Sequence, residues 1–324
     1  MIMGSVLKYL GSMDRLPVVP LVGYPVLREL GIPAADAFHD PKVHVRVIRK
    51  VVEELQMDLV LPLLDLTVEA EVLGAEVFYP QFDAPNIKKC PSLEEVGKVE
   101  REGRVPLMEA ILKEAKEVAD GLPVGFYITG PFTIAGQIIE ITNLLKMVIK
   151  NPEAVDPILR LTTDTCIEYG RRLEEAGADF IVVAEPSASL ISLDMYRKFV
   201  KPYLERLGKE LRRDLVLHIC GRASHLVREM AIPGIDGVSI DQNVPLSRAF
   251  EELPSDMLVF GNYPPTNLMF EDPETIEKKV SAMAEPFRDR RNYVVCTGCD
   301  IPSSTPIRNV KAFVETAKKI KRGS

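Results

Sequence analysis

In the segment Leu217-His218-Ile219-Cys220-Gly221 a histidine and a cysteine stand two positions apart. On a β-strand, side chains alternate between faces, so both would leave the same face and could reach one ion. With four His and five Cys in 324 residues, a chance H-x-C arises with odds of roughly 0.06, so the pair alone does not define a site. A second cluster, Cys296-Thr297-Gly298-Cys299-Asp300, closes another apolar run. One histidine with two thiolates is a zinc set that leaves the fourth position open, and soft sulfur disfavours Mg²⁺ and Ca²⁺. Zn²⁺ on two thiolates and a neutral imidazole has no formal charge, and a thiol entering the open corner loses its proton there. Such a centre makes nucleophilic sulfur. Water activation instead relies on histidine and carboxylate ligands.

Cys296 and Cys299 need to be told apart. Cys296 falls within the apolar run and Cys299 lies beyond Gly298, where the chain turns, so position favours Cys299 as the ligand. The C-x-x-C spacing also allows a redox dithiol, but no helix N-terminus is expected here to lower the first thiol's pKa. Both cysteines packed in the core is the third reading, and the same reading accounts for Cys90 and Cys166. His39, His44 and His225 fall in loop or helix context, where surface or capping roles are expected.

The elements that must carry these residues recur in one pattern: a short apolar run, a polar or Gly-containing turn, then a longer amphipathic segment. The apolar runs are 17–22, 59–64, 124–129, 180–184, 215–219, 237–240, 258–260 and 293–295. They are rich in Val, Ile and Leu without clean alternation, as parallel strands buried on both faces are. Helices are predicted over 41–57 after an Asp40 cap, and over 152–176 after Asn151 with Gly177 closing the end. Further helices are predicted over 193–211, 273–287 and 306–321. Eight strands trailed by helices predict an α/β chain. We expect a single (β/α)8 TIM barrel over residues 1–324, with an N-terminal helical extension. An open doubly wound sheet shares the alternation, but no G-x-G-x-x-G follows the first run. In a barrel, chemistry sits where strands end. Those positions hold Asp65, Glu185-Pro186, His218 with Cys220, Asp241 and the Cys296–Asp300 cluster.

Composition bounds the rest. At 46% hydrophobic, 27% charged and net charge −7, the chain is an ordinary globular one with no nucleic-acid partner expected. The basic stretch Lys318-Lys319-Ile320-Lys321-Arg322 complements the dipole of a last helix. No apolar run is long enough to span a membrane, and residues 1–8 lack a signal-peptide layout, so a cytoplasmic location is expected. Five cysteines in a reducing compartment are metal ligands, nucleophiles or core filler rather than a disulfide framework.

Three segments resemble the uroporphyrinogen decarboxylase superfamily: Gly130-Pro-Phe-Thr-Ile-Ala-Gly, Ala178-Asp-Phe-Ile-Val-Val-Ala-Glu-Pro and Thr297-Gly-Cys-Asp-Ile-Pro-Ser-Ser-Thr-Pro-Ile-Arg-Asn-Val-Lys. That superfamily implies a (β/α)8 barrel. Its decarboxylases carry an arginine-bearing segment near the N-terminus for porphyrin carboxylates; here that stretch reads Pro20-Leu-Val-Gly-Tyr-Pro, without arginine. The other branch, methylcorrinoid:thiol methyltransferases, has H-x-C followed far downstream by Cys. His218, Cys220 and Cys299 match it, which selects Cys299 over Cys296. The resemblance implies Zn²⁺, a corrinoid supplied by a carrier protein and a small thiol such as coenzyme M, and it leaves a homodimer open. Asp65 matches the decarboxylase's catalytic aspartate and is expected here to have a structural or substrate-orienting role, or to be a simple strand-end cap. Glu185 and Asp241 are expected as a weak fourth ligand or as partners of His218. The competing readings are a metal-independent decarboxylase or lyase with Asp65 as acid–base group, methyl transfer to a tetrahydropterin, and a non-catalytic cofactor-binding barrel.

Overall fold

The structure is a computed structural model that describes residues 6–92, 96 and 102–323; residues 1–5 of the segment read for a leader lie outside these. A short antiparallel hairpin, β1 (Glu76–Phe78) with β2 (Asn86–Lys89), precedes the main sheet. Six parallel strands form that sheet in chain order: β3 (Gly125–Thr129), β4 (Phe180–Ala184), β5 (Asp214–Ile219), β6 (Gly237–Ile240), β7 (Leu258–Tyr263) and β8 (Tyr293–Thr297). Every residue of β3, β4, β6, β7 and β8 is buried, as a sheet covered by helices on one face and filled on the other requires.

The runs 17–22 and 59–64 are not full strands. Each makes a single parallel bridge, Val18 to Val295 and Val60 to Val124. Pro17, Pro20 and Pro62 interrupt these runs and have no N–H to give a ladder. The runs nevertheless complete the circuit. Val19 N–H donates to Val295 O (2.9 Å), Asp58 N–H to Val18 O (3.1 Å), and Gly125 N–H to Val60 O (2.9 Å). The Asp58 carboxylate strengthens this seam by accepting from Val18 N–H at 2.7 Å and pairing with both terminal guanidinium nitrogens of Arg15. The structure is thus the (β/α)8 barrel, with six regular staves and two bridged ones. The hairpin inserts after the second bridged run.

Alternate residues point inward and fill the barrel with a packed cluster: Val19, Leu21, Leu59, Leu61, Tyr127, Phe180, Val182, Val216, Leu258, Phe260, Val294 and Cys296. Val6 and Leu10 of the first helix, Val6–Gly11, join this cluster. Gly11 lies against Arg291 just before β8, so the N-terminal helix closes the end where strands begin.

Among the predicted helices, Pro41–Leu55 starts at Asp40, whose carboxylate accepts from Lys42 N–H at 2.9 Å. Val155–Ala176 ends at Gly177, with φ at +107°. Asn151 makes no side-chain cap; a short 3₁₀ turn, Pro152–Ala154, precedes that helix instead. The predicted helix over 193–211 is two helices, Leu193–Phe199 and Lys201–Glu210, because Pro202 cannot continue the first one. Among the described residues no single helix is long and apolar enough to cross a membrane, and the one pair that passes together is bent by 107°.

Candidate metal centre

Inward alternation along β5 passes from Val216 in the core to His218 and then to Cys220, just past the strand end. From β8 the same alternation puts Cys296 in the packed interior, and the chain then turns over the mouth. Gly298 makes that turn feasible: a Cβ there would lie 2.4 Å from the backbone nitrogen of Gln242, so only glycine fits. Cys299 follows. His218, Cys220 and Cys299 present three donor atoms within 4.8 Å of one another, and no other such group of His, Cys, Asp and Glu occurs among the described residues. Four-coordinate zinc with Zn–S of about 2.3 Å has ligand atoms about 3.8 Å apart, so the spacing fits a small soft cation.

The two thiols are coupled. The hydrogen bond from Cys299 lowers the Cys220 thiol, and the same bond, together with burial, raises Cys299; His218 acts on Cys299 in the opposite sense. Burial pushes the Cys296 thiol up to about 12. It is a core residue.

His218 Nδ1 lies 2.9 Å from Ser239 Oγ. Among the described residues neither expected carboxylate hydrogen-bonds the ring. Glu185 accepts from the backbone N–H groups of Phe132 and Thr133 (2.9 and 2.7 Å) and from the Thr133 hydroxyl. It therefore closes the N-terminus of helix Pro131–Ile139, and burial pushes its carboxyl up to about 7. Asp241 accepts from Gly221 N–H at 2.7 Å and from Asn243 N–H and Nδ2 at 2.8 and 2.6 Å. It thus braces the residue after Cys220, where φ is +85°. Helix capping and turn bracing satisfy these carboxylates before they can reach the ring. Asp65 stands apart from the cluster, held by Arg104 Nη1 at 2.5 Å and by Thr67 N–H and Oγ at 2.8 and 2.6 Å.

Sequence reasoning missed Ser239, Arg104 and the buried tyrosines Tyr24 and Tyr127, whose hydroxyls are raised by burial and by Asp300. It also misplaced His44. That ring is fully buried, with Nε2 accepting from Leu63 N–H at 3.1 Å. Cys90 is half-buried at a surface groove beside Ile138 and Met147 rather than in the core. His39 and His225 do cap carbonyls, those of Ala35 and Ile191.

A family model described as Uroporphyrinogen decarboxylase (URO-D) matches residues 10–320. The chain belongs to the uroporphyrinogen decarboxylase family. It is 31% identical to the "Methylated-thiol--coenzyme M methyltransferase" of Methanosarcina mazei, over 87% of this chain and 78% of that protein. A solved "methyltransferase from Methanosarcina mazei" superposes with a TM-score of 0.88 at 26% identity, covering 97% of each chain. A uroporphyrinogen decarboxylase from Trichodesmium erythraeum is 27% identical over 81% of this chain and 76% of its own. Within the family, the chain stands with the methyltransferases.

Proposed function

We propose that this enzyme moves a methyl group from a methylated corrinoid, presented by a carrier protein, to the sulfur of a small thiol such as coenzyme M. The observation that carries this reading is the convergence of one imidazole and two thiols from β5 and the turn after β8 at the barrel mouth. The name of the Methanosarcina mazei relative supports coenzyme M as the acceptor, and a Methanosarcina barkeri relative 27% identical over 93% of this chain, "Methylcobamide:CoM methyltransferase MtaA", supports a methylated corrinoid as the donor.

His218, Cys220 and Cys299 would hold a zinc ion, a set of three protein ligands of the kind that catalytic zinc sites use. Zinc held there would supply Lewis acidity, under which a thiol at the site would be present as thiolate at neutral pH. The sulfur lone pair then forms the new S–CH₃ bond, the electron pair of the cobalt–carbon bond stays with the corrinoid, and the thiol proton leaves to solvent. The chain's own work is alignment, since sulfur and methyl carbon must meet in line. Asp241 fixes the Gly221 turn and with it Cys220. Glu185 fixes the start of helix Pro131–Ile139 at the mouth. We read Asp65 as a structural anchor, since Arg104 and Thr67 take up its oxygens, rather than as the acid–base group that a decarboxylase would require.

The test is metal analysis of the purified protein together with methyl transfer from methylcobalamin to coenzyme M. One equivalent of zinc is expected, lost in His218→Ala and Cys220→Ser along with activity. A fully active, zinc-free His218→Ala variant overturns the reading.

A further inference from the structure

Strands β5 and β6 run in a parallel register that sets His218 opposite Ser239. The Ser239 hydroxyl oxygen lies 2.9 Å from His218 Nδ1. Both residues are nearly closed to solvent, Ser239 at 3% and His218 at 5% exposed, so bulk water does not compete for the bond. On the other flank of β5 the facing residue is Ala184, whose methyl group offers the ring nothing polar. Glu185 and Asp241 are occupied elsewhere, as described above. Ser239 is therefore the one side chain among the described residues that hydrogen-bonds the imidazole at Nδ1.

A neutral imidazole has one N–H and one lone pair, and the group bonded at one nitrogen decides what the other can do. We propose that Ser239 is the positioning residue of the metal centre. Its oxygen accepts the Nδ1–H of His218, which fixes the tautomer and the plane of the ring. Nε2 is thereby left as the lone pair turned toward the sulfurs of Cys220 and Cys299. This inference rests on reading His218 as a metal ligand. Strand β6 then supports both β5 donors. Ser239 orients the first, and Asp241, two residues on, braces the turn that carries the second.

The experiment is zinc competition against a chromophoric chelator, using the full chain, with cobalt(II) loading as a spectroscopic companion. Outer hydrogen bonds to a ligating histidine typically contribute about 10–100-fold in metal affinity. Ser239→Ala should weaken zinc binding by about that factor, while the thiolate-to-cobalt absorption persists because both cysteines still bind. Ser239→Thr, which keeps the hydroxyl, should restore affinity. Wild-type affinity in Ser239→Ala overturns the proposal, as does equal weakening in the alanine and threonine variants, which would point to packing of β6 instead. If wild-type protein shows no thiolate-to-cobalt absorption and binds zinc no better than His218→Ala, the metal-site reading itself fails, a result distinct from either.

Discussion

Cys299 shares a 4.8 Å cluster with His218 and Cys220, whereas Cys296, three positions earlier, is fully buried among Val294, Phe260 and Tyr127 in the barrel interior. Strand alternation and one glycine turn separate two chemically identical side chains into a donor and a piece of core.

The two cysteines should therefore respond differently to the same change. Cys299→Ser is expected to abolish metal binding and methyl transfer with little change in stability. Cys296→Ala should keep the metal and cost about 1 kcal/mol through a small cavity. Metal stoichiometry and urea denaturation of the two variants check this, and loss of metal in Cys296→Ala would contradict it.

Asp65 and Arg104 form a pair whose side chains are only 4% and 6% exposed. Removing the Asp65 charge takes from the buried guanidinium one of its two acidic partners, Glu71 at 2.8 Å being the other. Asp65→Asn should accordingly lower stability by about 3 kcal/mol and leave zinc content unchanged. Zinc analysis beside a melting curve decides it; full stability with no activity would instead mark Asp65 as catalytic.

Burial lowers the His44 pKa to about 4 from an ordinary value of 6.5. Its unfolded form takes up a proton more readily than its folded form. The stability from the neutral ring is thus complete above pH 6.5 and lost as the pH falls toward 4, by about 3 kcal/mol. The wild type minus His44→Gln difference in denaturation free energy, measured from pH 7.5 to 4, should show that slope. A flat difference would mean that His44 is protonated or exposed.

Glu185 titrates in the other sense. With its carboxyl raised from 4.5 to about 7, its contribution is complete below 4.5 and is lost as the pH climbs through 7. Glu185→Ala should destabilise most near pH 5, by about 2–3 kcal/mol for the three donors left without a partner, and less above pH 7. Denaturant titrations at both pH values read this out, and a penalty that grows with pH would refute it.

The parts legible in the sequence are those set by local periodicity. The 218/220 pair lies on one face because β5 alternates, and Asp40 and Gly177 bound their helices through contacts a few residues long. The hidden parts depend on how distant segments meet. Ser239 is an unremarked serine until the β5–β6 register places it across from His218. His44 looks like a surface residue until Leu63 donates to it. The prolines that break runs 17–22 and 59–64 are visible, but their apolar content outweighs them in a pattern count. Arg104 pairs with Asp65 across 39 positions, a distance no spacing rule covers.

The two bridged staves sit between β8 and β3, whereas the donors rise from β5 and from beyond β8, both on the unbroken ladder that runs from β3 to β8. Thermal loosening of the ring should start at the poorly laddered side and leave the donor-bearing arc intact. The barrel can breathe along its stitch line while the triad keeps its spacing, so amide exchange at Val19 and Val60 should run well ahead of exchange at Leu217 and Val238.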